Sequence, residues 1–181
     1  MRLASLILKL MGWKVTVSVP DFPKCIICVA PHTSNLDFII GKLAYASIGR
    51  KAGFLMKSTW FFFPLGIIFR AIGGVPVYRD KRKGDLTRQL IDRFNSASRL
   101  ALAITPEGTR SLTSKWHTGF LRIAAATGVP VILGAIDFAT KDVYLTHVFT
   151  PTGDMEADMR AVKDYYRPFT GRHPDQFTTS D

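Results

Sequence analysis

Two short strings carry groups able to move a proton and hold an anion. Pro31-His32-Thr33-Ser34-Asn35-Leu36-Asp37 places an imidazole five residues before a carboxylate. Thr105-Pro106-Glu107-Gly108-Thr109-Arg110 adds a second carboxylate and a fixed cation. An acid in the first turn of a helix can point back to His32 and accept its Nδ1–H. That fixes the tautomer, leaves Nε2 as a base and stabilises the imidazolium once formed. Ser34-x-x-Asp37 also fits a capping box, a structural role compatible with the chemical one. Gly108 permits close backbone approach to a ligand, and the planar fork of Arg110 suits a phosphate. Ser34 is not read as a hydrolase nucleophile, because there is no Gly-x-Ser-x-Gly elbow.

Such residues act together only if the fold brings them together. Each string follows an apolar run that reads as a buried strand, Cys25–Ala30 for the first and Leu100–Ile104 for the second. Ligands of open α/β sheets bind outside the carboxyl ends of the strands. The remaining elements alternate. Strands are predicted over Lys14–Val19, Gly53–Met56, Val75–Tyr78, Val129–Ile136 and Val143–Phe149. Helices are predicted over Leu36–Ile48, Asp85–Ala97, Trp116–Thr127 and Met155–Tyr166. Thr59–Ile72 is intensely apolar, and Pro64 and Gly66 break it into two short helical pieces. This pattern indicates one α/β domain over 14–170, with a mostly parallel mixed sheet flanked by helices. A polar, poorly ordered tail is expected over 171–181.

A chain of 181 residues with 47% hydrophobic residues is long enough for one proper core. The formal charge of +10 implies an anionic partner: nucleic acid, an acidic membrane or a phosphorylated substrate. No nucleic-acid-binding motif is present, so no nucleic-acid partner is expected. In the basic cluster Arg79–Lys83, the residues Lys81, Arg82 and Lys83 read as a solvated loop. Cys25 and Cys28 lie inside a strand and three apart, hence on opposite faces, and read as two buried thiols. No set of His, Cys and carboxylates has metal-ligand spacing, so no metal is expected.

Met1–Trp13 is too short to span a bilayer. Leu3, Leu6, Ile7, Leu10 and Met11 follow helical spacing, with Arg2, Ser5 and Lys9 on the other face. This short amphipathic helix suits either a membrane interface or the domain's own core.

His-x4-Asp followed in order by Pro-Glu-Gly-Thr-Arg resembles the signature pair of the glycerolipid acyltransferases, the lysophosphatidate acyltransferase family. The likeness runs from about Gly12 to about Phe149. Gly73-Gly74-Val75-Pro76-Val77-Tyr78-Arg79 is similar to that family's second motif, which makes Arg79 a further phosphate ligand by resemblance. Val129-Pro130-Val131-Ile132 resembles the fourth motif, near the acyl or acceptor groove. Lys57 ahead of Phe63-Pro64-Leu65-Gly66 also resembles the family and implies another phosphate contact, against the plain alternative of a surface lysine. The resemblance departs at Lys115-Trp116-His117-Thr118-Gly119-Phe120, and the longer two-helix anchor of some members is expected to be missing or reduced to Met1–Trp13.

The resemblance implies an O-acyltransferase. The donor is a fatty-acyl thioester on coenzyme A or acyl carrier protein, and no cofactor is bound. The acceptor is a lysophospholipid hydroxyl, such as that of 1-acylglycerol-3-phosphate. His32 and Asp37 act as base and orienting acid, Glu107 positions the acceptor or organises its loop, and Arg79, Arg110, Lys57, Gly108 and Thr109 form the phosphate site. The expected location is the inner face of the cell membrane, peripherally bound. Two alternatives stay open: O-acylation of a lyso-aminolipid, and a non-catalytic lipid-binding protein on the same fold.

Overall fold

The computed structural model describes residues 1–78 and 85–180. Helix α1 (Arg2–Leu10) precedes β1 (Lys14–Val17), β2 (Lys24–Ala30), α2 (Asn35–Ser47) and β3 (Gly53–Lys57). A 3₁₀ turn (Ser58–Trp60) follows, then α3 (Leu65–Ala71), β4 (Gly74–Val77), α4 (Leu86–Ser96) and β5 (Leu100–Ile104). The chain ends with α5 (Gly119–Thr127), β6 (Val131–Asp137), β7 (Asp142–Phe149), α6 (Met155–Tyr166) and a 3₁₀ turn (Pro174–Gln176).

The seven strands form one sheet in the order β1-β7-β6-β2-β5-β3-β4. Every pairing is parallel except β6 with β7, which is antiparallel. β2 and β6 lie mid-sheet and are covered on both faces, which is why both read as unbroken apolar runs. The chain moves outward from β2 to β3 and β4, then returns through β5 to β6. Right-handed crossovers therefore place α2 and α3 on one face and α4 and α5 on the other. The core clusters agree. Ile26, Cys28, Leu102 and Leu133 pack with Leu90, Phe94, Phe120 and Tyr166. Cys25, Ile27 and Ile132 face the other way, toward Tyr45. The two cysteines are free and buried, one per cluster, and burial pushes the Cys25 thiol up to about 11.

Three expectations need correction. First, the α1 stripe is split. Leu8 is buried, with Ile7 and Met11 half-buried on the same side, against Ile40 and Ala44 of α2. Leu3, Leu6 and Leu10 point outward. The helix is apolar over more than half its circumference, and α2 can cover only one arc. Second, α5 begins at Gly119 rather than Trp116, because the His117 N–H donates to Pro106 O (2.7 Å) instead of entering a helix. Third, the segment after Thr170 is packed. The His173 N–H donates to Thr33 Oγ1 (3.2 Å), and Phe177 lies against Trp116 with ring centroids 6.0 Å apart. One large aromatic side chain anchors an otherwise polar stretch.

A candidate acyl-transfer site

β2 and β5 are neighbours, with Cys28 opposite Ile104. The loops leaving their carboxyl ends are therefore side by side, at the point where the chain's path across the sheet reverses. This adjacency brings the two strings together.

Asp37 is the fixed point of the first loop. It is buried at the first turn of α2, where Oδ2 accepts the N–H groups of Thr33 and Ser34 (both 2.7 Å). The Ser34 hydroxyl donates to Asp37 Oδ1 (2.7 Å) and accepts from the Leu36 N–H, completing a capping box. His32 Nδ1 stands 3.4 Å from Oδ2. That is longer than an ideal hydrogen bond, and the same oxygen also accepts the two amides. Burial would raise the Asp37 carboxyl, but the bonds from His32, Ser34 and Thr33 together hold it below its ordinary value. It stays charged wherever His32 works, and its contribution to stability is lost only as pH falls through that lowered value.

Glu107 sits behind this pair. Its Oε1 accepts the backbone N–H of His32 (3.2 Å), tying the two loops, while Oε2 is buried without a hydrogen-bond partner among the described residues. Burial raises its carboxyl to about 7; the His32 amide and imidazole oppose the rise and Asp37 adds to it. The folded value lies above the usual 4.5, so unfolding releases a proton between the two, and this contribution declines as pH rises from 4.5 to about 7. A Glu107→Gln variant keeps the acceptor for His32 and cannot ionise. Urea titrations at pH 4.5 and pH 8 should show it gaining on the wild type by ~3 kcal/mol across that window. Glu107→Ala, which releases His32, should lose far more activity than Glu107→Gln.

Arg110 donates to Asn35 Oδ1 at the mouth of the site. Gly108 has φ +66, and a Cβ there would lie 2.6 Å from His117 Cδ2. An alanine would therefore meet both backbone strain and an imidazole. Gly108→Ala is expected to displace this loop and reduce turnover on the order of 10²-fold in a steady-state assay.

His32, Asp37, Gly108, Arg110, Asn35 and His117 line one cavity of about 1,240 Å³. From the loops it extends to Ile27, Val29, Gly41, Tyr45 and Leu145 beneath α2, and to Leu86, Leu90, Phe120 and Ile123 on the α4–α5 side. A polar mouth with a long apolar interior fits a ligand with a charged head and a hydrocarbon tail. Lys57, exposed at the end of β3, and Thr109, whose hydroxyl accepts the Ser111 N–H, are not among the lining residues. Val131 and Ile132 are buried in β6, and the cavity touches that strand further along, at Gly134 and Ile136. Arg79, with the rest of the Arg79–Lys83 cluster, lies outside the described residues. No group of three or more potential metal ligands occurs among the described residues.

Residues 15–136 match the family described as Acyltransferase, well over half of the chain. The chain belongs to the acyltransferase family. No curated protein matches it. Among solved structures, this acyltransferase is similar to the 1-acyl-sn-glycerophosphate acyltransferase PlsC from Thermotoga maritima. The TM-score is 0.59 at 22% identity, covering 91% of this chain and 76% of that one. The likeness is one of fold: an α/β domain with a mostly parallel sheet flanked by helices.

Asn35, His117 and the C-terminal segment are the site components that sequence reasoning missed. Asn35 belongs to the Pro31–Asp37 string, but nothing in its type or position there marks it as a partner for Arg110. His117 lay in the stretch that departs from the family text, and that departure was the available signal. The C-terminal strap reaches both loops. Besides His173 on Thr33, the Gln176 amide, oriented to donate, reaches Thr33 O (3.2 Å) and Arg110 O (2.8 Å).

Proposed function

We propose that this acyltransferase moves a fatty-acyl group from a thioester, on coenzyme A or acyl carrier protein, to a hydroxyl of a lysophospholipid such as 1-acylglycerol-3-phosphate. His32 Nε2 removes the hydroxyl proton. The oxygen attacks the thioester carbonyl directly, forming the ester C–O bond. The C–S bond then breaks, and the imidazolium returns its proton to the departing thiolate. Asp37 orients His32 and stabilises its charged form. Glu107 holds the His32 backbone and thereby sets the loop. Arg110, with Gly108 and Thr109, binds the acceptor phosphate; Lys57 and Arg79 are further candidates for it. No bound cofactor takes part, and the enzyme works peripherally at the inner face of the membrane that holds its acceptor.

The observation that supports this reading is the shared cavity: a base, its carboxylate and a guanidinium stand at the mouth of a long apolar pocket. The phosphate assignment is tested with Arg110→Ala. KM for 1-acylglycerol-3-phosphate should rise at least about tenfold, while KM for a monoacylglycerol of the same chain stays level. Turnover of a lyso-aminolipid, unaffected by Arg110→Ala and without turnover of the phosphate acceptor, would transfer the assignment to the aminolipid class.

A further inference from the structure

The large apolar side chains left exposed are unevenly placed. Most of them belong to α1, to α2 and to the β3–β4 crossover that contains the 3₁₀ turn and α3. Among the described residues, α4, α5 and α6 expose none. The connection rule puts α2 and α3 on the same side of the sheet, and α1 packs on α2. The exposed apolar residues thus form one layer.

The crossover is built to present them. Phe61 and Phe69 turn inward, edge to face, with the Arg70 guanidinium over Phe61. A Cβ on Gly66 would sit 2.7 Å from Phe61 O, so the turn closes as tightly as a glycine allows. Trp60, Phe62, Phe63, Ile67 and Ile68 are left facing solvent, Phe63 at 84% exposure. At the other side of α2, Leu10 is 79% exposed. Between them Phe38 and Ile39 are exposed and also line the catalytic cavity, so the layer is continuous with its mouth.

Charge identifies the occupant. α1, α2 and the segment from Lys57 to Ala71 hold Arg2, Lys9, Lys42, Lys57 and Arg70 against a single acid, Asp37, which is buried. Two copies of the chain set face to face on this layer would oppose like charges. An anionic bilayer complements the charge and takes the apolar side chains into its boundary region.

We propose that the α1–α2–α3 layer is the lipid-docking face, with the outer stripe of α1 and the Trp60–Ile68 crossover as two insertion points flanking the cavity mouth. The proposal deepens the lysophospholipid reading by giving the acceptor its route from the bilayer. Its test does not depend on turnover. The chain has three tryptophans; Trp13 and Trp116 are buried and Trp60 is 52% exposed, so Trp60 reports on this face.

Full-length protein is mixed with phosphatidylglycerol–phosphatidylcholine vesicles, with and without brominated phosphatidylcholine. The expected result is partition to the anionic vesicles with a blue-shifted Trp60 signal quenched by bromine, and no quenched component in Trp60→Phe. The exposed double change Ile67→Glu with Ile68→Glu should weaken partition at least tenfold at an unchanged melting temperature. Short-chain substrates below their micelle concentration should be turned over by this variant as by the wild type, while acceptor embedded in vesicles is not. No partition, partition without Trp60 quenching, or a concentration-dependent dimer in ultracentrifugation that the double change abolishes would each overturn the proposal. Turnover of soluble substrate is read separately, so failure of docking and failure of the acyl-transfer reading cannot be confused.

Discussion

Replacing His32 with alanine is expected to lower kcat by about 10²–10⁴-fold, the usual range for loss of a general base. The fold should be unaffected, because the contacts holding the loop are made by backbone. Glu107 takes the His32 N–H, and Asp37 takes those of Thr33 and Ser34. KM for the acyl donor should change little, since the imidazole is needed for attack and not for thioester binding. Asp37→Asn probes the same unit from the other side. An amide can still accept the loop N–H groups through its oxygen, so the cap largely survives while the charge facing Nδ1 is removed. Asp37 acts on the reaction through His32, so the double variant should be no slower than His32→Ala alone. Two effects that multiply would mean that Asp37 works independently. Steady-state kinetics on the four proteins, with thermal melts as the stability control, decide this.

The second large effect is expected from the C-terminus. Truncation after Thr170 keeps the bonds of Thr170 with Phe138 and Asp137 and removes the strap beyond it. His173 and Gln176 no longer reach Thr33 and Arg110, and Phe177 leaves Trp116. Stability should fall by about 2 kcal/mol for the half-buried Phe177. Activity should fall more steeply, on the order of 10²-fold, because the truncation loosens both motif loops at once. Two point variants separate these contributions. Phe177→Ala should lower the melting temperature with a modest loss of rate. Gln176→Ala should lower kcat while leaving the melting temperature within about 2 °C. If Gln176→Ala is indistinguishable from wild type in rate, the strap has a purely structural role.

The parts of the molecule that could be read from the residues were those encoded locally. Apolar runs closed by Pro31 and Pro106 mark the carboxyl ends of β2 and β5. Ser34 and Asp37 announce a helix start with a carboxylate in its first turn. The ranges Leu100–Ile104 and Met155–Tyr166 coincide with β5 and α6, because periodicity and the flanking Gly, Pro and Asp agree there.

What was not readable depends on which elements become neighbours. Nothing in the string around Asn35 shows that Arg110 will donate to it; that follows from β2 lying beside β5. The outward direction of Leu3, Leu6 and Leu10 follows from where α2 lies, since α1 is apolar on both flanks. Trp116 reads as a helix residue by spacing, yet the bond from His117 to Pro106 holds the chain in a loop until Gly119. The polar composition of 171–180 outweighed one aromatic, although Phe177 has a hydrophobic slot beside Trp116.

The most direct test of the central claim is product analysis by mass spectrometry. Purified wild type and His32→Ala are each given palmitoyl thioester, on coenzyme A and on acyl carrier protein, with 1-acylglycerol-3-phosphate and, in parallel, with a membrane lipid extract. A lipid heavier by one palmitoyl group, formed by the wild type and reduced at least about 10²-fold in the variant, is the predicted result. No such product with either donor, or equal amounts from both proteins, would contradict a His32-based acyl transfer and leave lipid binding without catalysis as the account of the site.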